Sequence, residues 1–518
     1  MRLNILIGGK AGQGINAVSG IVSSVLVKWG YFTFNYRDYP SLIRGGHNFN
    51  VLSVSDERIG SNESRIDGIV AMDENTIKLH KTKLKKEGFV IDFKGFESLG
   101  RNLNIALAGA LIRILGIDKN LLIEEVEKQF HSKEANAAAE KGFNSKEKKY
   151  DLKKLNNKIT VFNGSQAVAQ GAINSKIDLF ISYPMTPATG LLHELAGKAK
   201  EHGFNIFQPE NEIAAINQAL GASFTGAKTL TGTAGGGFDL MTEGLSFQGQ
   251  SEIPLVVYLA SRPGPSTGVP TYSMQDDLNV ALRGGHGDFP RIVIAPGDPI
   301  ECVEKTNEAF YLAEKFNCLS IILSDKHLAE SEFSSDKKPN KIIPVNIKRA
   351  LPGQAIVKAS SYEHDKFGNT TENAGIIKQN AEARLKKYEE IKNECNKFQM
   401  IKIYGNKNAK NLIIGWGSTK TVILDALDAI DSSIKTGKGN HKFLQVLYLK
   451  PLSNQIKEEI IKAQKSGGKI ILVENNSTGQ LGRLIREKTG IKIKNRILKY
   501  DGRPFTSDEL KSEIEGIK

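Results

Sequence analysis

At 518 residues, with 40% hydrophobic and 25% charged side chains, the chain is too long for one core and has the composition of an ordinary globular protein of about three domains. No apolar run reaches the roughly 18 residues a membrane span needs, and Cys302, Cys318 and Cys395 lie far apart without a C-x-x-C pair, which argues against a disulfide framework and against a zinc or iron–sulfur site within this chain. Lys and Arg outnumber Asp and Glu by 70 to 57, but in "KTKLKKEG", "NSKEKKYDLKKLNNK" and "EARLKKYEEIKNE" the lysines alternate with acids, so a solvated surface is expected and nucleic acid is not.

The first residues, "MRLNILIGGKAGQGIN", carry an apolar run too short for a secretory signal, so the expected location is cytoplasmic and no membrane contact is expected. "RLNILIGG" reads as a strand and "INAVSGIVSSVLVKWG" as a helix. The turn between them has the spacing Gly9-x-x-Gly12-x-Gly14, which is neither the dinucleotide pattern nor a P-loop. Two readings stand: a tight strand-to-helix turn, or backbone N–H groups around Gly12 and Gly14 that hold an anion. "YPSLIRGGHNFN" sets Arg44 and His47 beside Gly45 and Gly46, able to line the same cleft. The strands "VLSVSD", "IDGIVAMD" and "GFVIDF" and the helix "NIALAGALIRILG" complete a first domain, 1–155, ending in the polar "NSKEKKYDLKKLNNK".

A second domain, 156–332, alternates strands ("DLFISYP", "FNIFQ", "PLVVYLAS", "RIVIAPG", "LSIILSD") with helical patterns, which predicts a parallel, helix-covered sheet. A polar insertion, 333–400, carries the charged helix "GIIKQNAEARLKKYEEIKNEC". The third domain, 401–518, repeats the alternation with "NLIIGWGSTKTVILDALDAI", "FLQVLYLKP" and "GGKIILVENN". The fold class is therefore α/β in three domains.

Four stretches of the second domain invite chemistry. "ISYPMTPATG" ends a strand at Pro184 and Pro187, which stiffen the loop and present Thr186. "PENEIAAINQALGAS" places Glu210 and Glu212 at a helix start, where acids are favoured by the helix dipole alone. "TGTAGGGFDLMTEG" supplies Gly235, Gly236 and Gly237 before a helix, where a backbone without side chains admits a flat ring or a neighbouring subunit. "RPGPSTGVPT" follows a strand with Arg262, shaped to hold a carboxylate by two bonds, and Thr271 closes that loop. Each also has a plain reading: a rigid turn, a helix cap, a surface arginine. All four follow strands of one sheet, and ligands of open α/β sheets bind at such strand ends, so together they predict one cleft.

In order and spacing these four motifs resemble the alpha subunits of 2-oxoacid:ferredoxin oxidoreductases, most nearly the 2-oxoglutarate type, and "GGKAGQGI" with "SLIRGGHN" resembles the family's gamma domain fused at the N-terminus. "YEHDKFGNTTENA" and "ILVENNSTGQLGRLIRE" resemble later alpha segments, the last of them the transketolase C-terminal-like domain. The resemblance implies a gamma-type domain, a thiamine pyrimidine-binding domain with a parallel sheet and a transketolase C-terminal-like domain. It implies that Thr186 and Arg262 contact the 2-oxoacid, that Thr271 lies near its side chain, and that Glu212 is the acid at the thiamine aminopyrimidine. Gly235 and Gly236, with Gly12 and Gly14, would line cofactor. Met185 stands where isoleucine is usual, and Gly236 where proline is frequent.

The chain lacks the G-D-G…N motif that holds Mg²⁺ and the diphosphate, and lacks cluster cysteines. The resemblance places thiamine diphosphate at an interface with a beta subunit that carries Mg²⁺ and a 4Fe–4S cluster, in an αβ or (αβ)₂ assembly. The implied reaction is oxidative decarboxylation of 2-oxoglutarate or a range of 2-oxoacids to acyl-CoA and CO₂, with coenzyme A as cosubstrate and ferredoxin as electron acceptor. Two alternatives are a non-catalytic scaffold that binds a nucleotide or coenzyme A and a non-oxidative thiamine-dependent decarboxylase. An indolepyruvate-type enzyme is disfavoured by the missing cysteines.

Overall fold

The computed structural model describes residues 1–40 and 46–517, so Arg44 and Gly45 of the second glycine turn lie outside the described residues. Packing divides the chain into two units, one of Met1–Phe162 with Ser331–Lys337 and Thr506–Ser512, the other of Asn163–Glu330 and Lys338–Phe505 with the last residues of the chain. No described helix is long and apolar enough to cross a membrane.

The first unit is built on a seven-stranded sheet. Its strands are β1 (Arg2–Lys10), β2 (Phe32–Asp38), β3 (His47–Ser55), β4 (Ile66–Ala71), β5 (Leu84–Ile91), β6 (Thr160–Phe162) and β13 (Glu332–Ser335), in the order β5-β4-β1-β3-β2-β13-β6. The alternation of strands and helices predicts parallel pairing, and β1, β4 and β5 obey it. β3 instead runs antiparallel to both β1 and β2. The reason is local: only residues 39–46 separate β2 from β3, fewer than the dozen or so that a crossover between parallel strands needs, and strands so closely linked pair antiparallel. Helices Ile15–Lys28 and Leu103–Leu115 bury Val18, Ile21, Val22, Val25, Leu107 and Leu111 in one core with Ile5 and Ile7.

The second unit holds two sheets. The larger contains β7 (Leu179–Ile181), β8 (Asn205–Phe207), β9 (Thr229–Thr233), β10 (Leu255–Ser261), β11 (Arg291–Ile294) and β12 (Leu319–Asp325), all parallel. β17 (Tyr448–Lys450) closes its edge antiparallel to β11, giving the order β17-β11-β12-β10-β9-β7-β8. β10 and β12 are buried along their whole length, as expected of central parallel strands covered on both faces.

The smaller sheet is β14-β16-β15-β18-β19, from β14 (Ile401–Gly405), β15 (Asn411–Trp416), β16 (His441–Val446), β18 (Ile470–Glu474) and β19 (Asn495–Leu498). One apolar core joins the two sheets, running from Val257, Val293 and Ile321 to Ile414, Leu444 and Leu472. A buried ionic cluster reinforces it: Glu301 accepts from Lys420 (2.6 Å), Lys402 (2.9 Å) and Gln445 Nε2 (2.7 Å). The two ammonium groups hold the Glu301 carboxyl below the usual carboxylate range, against the effect of its burial. The insertion forms the long helix Ala374–Cys395, largely solvent-facing. Cys302, Cys318 and Cys395 are buried free thiols.

Candidate active site

Thr186, Glu212, the three glycines and Arg262 all follow strands of the larger sheet of the second unit, at the C-terminal ends of β7, β8, β9 and β10. β10, β9, β7 and β8 are neighbours in that order, so the four connections emerge side by side. The chain direction that makes the sheet parallel also gathers these side chains.

Glu212 is 2% exposed, and among the described residues none gives its Oε1 a hydrogen bond. Its helix, Glu212–Phe224, is capped by Asn211, whose side chain accepts from Ala214 N at 2.9 Å. The plain capping role is thus filled by the residue between the two acids. Glu210 faces solvent. A buried carboxylate oxygen without a donor is costly, and the arrangement fits a ring nitrogen that a bound group would bring.

Gly235, Gly236 and Gly237 do not precede a helix but form its first turn, Gly235–Ser251, after Ala234, which provides no side-chain cap. A Cβ on Gly237 would stand 2.1 Å from Thr233 Oγ1 and 2.6 Å from Glu212 Oε1, whereas one on Gly236 would meet only Ser266 O at 3.7 Å. Gly237 is therefore the glycine that lets the helix pass against Glu212. Replacing Gly237 by alanine is expected to cost about 1–3 kcal/mol through overpacking, while Gly236→Ala leaves stability unchanged. Thermal unfolding of the two variants checks this; equal melting temperatures would refute the crowding at Gly237.

Arg262 is 9% exposed. Its Nη1 donates to the carbonyl oxygen of Thr186 at 2.8 Å, and its Nε is buried with no partner among the described residues. The proline loop thus meets the arginine through a backbone carbonyl, across a Thr186–Pro187 peptide bond that is cis. Nη1 of the guanidinium is thus engaged, and the Nε–H is not. Burial lowers the Arg262 pKa, and the nearby Asp277 and Glu212 oppose that shift. Thr271 is 6% exposed, with Oγ1 buried and unpartnered.

Sequence reasoning passes over the acids of "SMQDDL". Asp277 lies against the glycine turn, its Oδ1 2.5 Å from the position of a Cβ on Gly235. Adjacent acids before a helix read as caps, so no pattern marks them. Nor does any mark Gln275, whose Oε1 accepts from Asn475 N (2.9 Å) and whose Nε2 donates to Trp416 O (2.8 Å). Through these bonds "VENNSTGQLG", at Asn475, and the end of β15, at Trp416, buttress the loop that carries Asp277. Glu474 in that segment is fully buried and accepts from Trp416 Nε1, Asn476 Nδ2 and the N–H groups of Leu481 and Gly482.

Gly12 and Gly14 belong to the first unit. Both have positive φ, 89° and 86°, and Gly14 opens the helix Ile15–Lys28 with no side-chain cap. His47 begins β3, and its Nε2 lies 2.8 Å from His80 Nε2 beside Phe49. Burial, followed by His47 and Lys83, lowers His80 to about 4, and burial lowers His47 as well.

Residues 170–399 match the family model of the pyruvate flavodoxin/ferredoxin oxidoreductase thiamine diphosphate-binding domain, and residues 4–94 that of pyruvate ferredoxin/flavodoxin oxidoreductase. The 2-oxoacid:ferredoxin oxidoreductase subunit alpha of a Sulfolobus species is 31% identical over 99% of this chain and 96% of its own length. The 2-oxoglutarate synthase subunit KorA of Archaeoglobus fulgidus is 39% identical over 33% of this chain and 51% of its own. Among solved structures, the 2-oxoglutarate:ferredoxin oxidoreductase of Magnetococcus marinus, determined with 2-oxoglutarate, coenzyme A and succinyl-CoA bound, superposes with a TM-score of 0.89 at 26% identity over 99% of both chains. With sequence and fold agreeing over nearly its whole length, this chain belongs to the alpha subunits of the 2-oxoacid:ferredoxin oxidoreductases.

Proposed function

We propose that this chain forms the substrate side of an oxidoreductase that converts 2-oxoglutarate, coenzyme A and oxidised ferredoxin to succinyl-CoA, CO₂ and reduced ferredoxin. The observation that carries the reading is the pair of buried atoms without a hydrogen-bond partner among the described residues, Glu212 Oε1 and Arg262 Nε, which follow β8 and β10 at the C-terminal edge of one sheet. One needs a donor and the other an acceptor, as a protonated ring nitrogen and a substrate carboxylate would supply. In this reading residues 1–155 are the gamma-type domain, 156–332 the thiamine pyrimidine-binding domain, 333–400 a linker insertion and 401–518 the transketolase C-terminal-like domain.

Thiamine diphosphate, when bound, supplies the nucleophilic carbon that adds to the oxo group and takes up the electron pair released with CO₂. Glu212 holds a proton between its Oε1 and the aminopyrimidine ring nitrogen, and burial strengthens that bond. Arg262 takes the 2-oxoacid carboxylate on its Nε side while Thr186 O holds its other edge in place, and Thr271 Oγ1 faces the substrate's side chain. Gly236 leaves room for the ring, whereas the Cβ side of Gly235 is taken by the Asp277 carboxylate, and Gly12 and Gly14 offer N–H groups to an anionic part of coenzyme A. Mg²⁺ and a 4Fe–4S cluster would be held by a beta subunit, which would complete the site and supply the one-electron path to ferredoxin.

Anaerobic viologen reduction with coenzyme A and either 2-oxoglutarate or pyruvate tests this, on the chain alone and with its thiamine-binding partner. Turnover in the complex only, with 2-oxoglutarate preferred, is expected. Preference for pyruvate would overturn the substrate assignment. Aldehyde release without acceptor reduction would make the protein a decarboxylase.

A further inference from the structure

The loop that follows β10 begins at Arg262 and ends at Thr271, and its neck is closed on itself. Val269 N donates to Pro263 O (3.1 Å), Tyr272 N donates to Val269 O (3.2 Å), and Gly264 N donates to Asp276 Oδ2 (3.3 Å). Residues 264–269 stand in solvent, whereas Arg262, Pro263 and Thr271 are buried. The two side chains read as facing the 2-oxoacid thus lie at either base of one exposed loop. Their spacing is only as fixed as that base.

A turn from far along the chain sits against it. The turn runs from Lys499 to Phe505, directly after β19, and is braced internally: Arg503 N donates to Asp501 Oδ1 (2.9 Å), Lys499 Nζ pairs with Asp501 Oδ2 (3.1 Å), and Gly502 holds φ at 78°. Gly502 O accepts from Ser273 N at 3.0 Å. A Cβ on Gly502 would stand 3.4 Å from Tyr272 Cβ and 3.7 Å from Pro263 Cγ. This buried backbone therefore touches the residue after Arg262 and the residue after Thr271 at once. The Arg503 guanidinium lies 3.6 Å from the centroid of the Tyr272 ring, a cation–π contact that presses the ring toward the turn. Asn475 ties the two segments together: its Nδ2 donates to Lys499 O (2.8 Å) and Arg503 O (3.2 Å), and its O accepts from Gln275 N (2.7 Å).

We propose that Arg503 is a positioning residue for the 2-oxoacid, acting through Tyr272: stacked on the ring, it holds the base of the loop against Gly502 and so fixes the distance between Thr271 and Arg262. The proposal rests on the reading of Arg262 and Thr271 as the substrate contacts. Arginine suits the task because its flat guanidinium covers a ring face, where lysine offers a point charge. Without the stack, the base of the loop samples other arrangements. Apparent affinity for the 2-oxoacid then falls by the fraction of time the binding-competent one is populated. A substrate once bound meets the same Arg262, Thr271 and Glu212, so the chemical step keeps its rate. The loss is confined to the ligand that the loop receives.

The test is initial-rate kinetics of acceptor reduction by the complex with the partner subunit, for Arg503→Met, Tyr272→Leu and the double variant. Arg503→Met is expected to raise KM for the 2-oxoacid about three- to tenfold, the range of a partly desolvated cation–π contact, with kcat and KM for coenzyme A unchanged. Arg503→Lys is expected to recover part of the affinity. The double variant is expected to match the single ones, because each removes the same contact. A purely structural role would lower the melting temperature and leave both KM values in place, and that result overturns the proposal. Effects that multiply in the double variant overturn it too. Should Arg503→Met not assemble, Tyr272→Leu decides, since an unchanged KM there overturns it equally. Arg262→Gln, measured alongside, separates the two levels. If it keeps wild-type affinity, the anchor reading itself is wrong and this inference falls with it. If it loses affinity while Arg503→Met keeps the wild-type KM, only the role of Arg503 is wrong.

Discussion

Arg262→Gln is expected to raise KM for the 2-oxoacid about 10- to 100-fold, with a smaller loss in kcat. The magnitude follows from losing charge-assisted hydrogen bonds worth roughly 1.5–3 kcal/mol in a water-poor site. Arg262 is almost fully buried and has already lost its hydration, so its Nε side meets a carboxylate without further desolvation. The Nη1 bond to Thr186 O fixes the plane of the guanidinium. Glutamine is too short to keep that bond and also reach the ligand. Arg262→Lys retains the charge but not the fork, and is expected to recover only part of the affinity. The measurement is initial-rate kinetics of acceptor reduction by the reconstituted complex. A glutamine variant with unchanged KM would remove Arg262 from the substrate.

How much of this site can be read from sequence depends on whether the cause is local. Prolines at 184 and 187, the glycine run and an arginine directly after an apolar strand are local signals, and parallel topology brings their strand ends side by side. The choice between Glu210 and Glu212 is not local. The helix dipole favours both acids, and only the structure shows Asn211 taking the cap and Glu212 turned inward. Asp277 is concealed by the opposite effect: it stands where a cap belongs and does not cap. Pairing direction escapes for a related reason. "FTFNYRD" and "HNFNVLSVS" are each legible as strands, but their antiparallel pairing depends on how the chain between them returns, and the run containing Tyr448, Leu449 and Lys450 joins the sheet built by residues far earlier in the chain. Long-range partners of short apolar strands leave no periodic trace.

Glu212→Gln is expected to lower kcat by about 10²- to 10⁴-fold, the range for removing a positioned acid–base group, with little change in KM for the 2-oxoacid. Glutamine keeps the shape of the side chain, and Glu212 Oε1 has no protein donor to lose, so fold and assembly should be undisturbed. What changes is the ability to hold a proton and give it up, which an amide lacks. A Cβ on Gly237 would stand only 2.6 Å from Glu212 Oε1, so the helix backbone lies against the carboxylate and a glutamine head of the same size fits the same place. A fall in turnover therefore reports proton handling and not displacement. Glu212→Asp tests reach: with the carboxylate drawn back by one methylene it can still ionise but stops short of the ring nitrogen, so its activity should lie nearer to the glutamine variant than to the wild type. Thiamine diphosphate binding, measured by calorimetry on the complex, should weaken only modestly in the glutamine variant, because in the proposed assembly the diphosphate would be held by the partner subunit. Turnover within twofold of wild type in Glu212→Gln would mean that this buried, unpartnered carboxylate serves the fold and not the chemistry, and the proposed site would lose its acid.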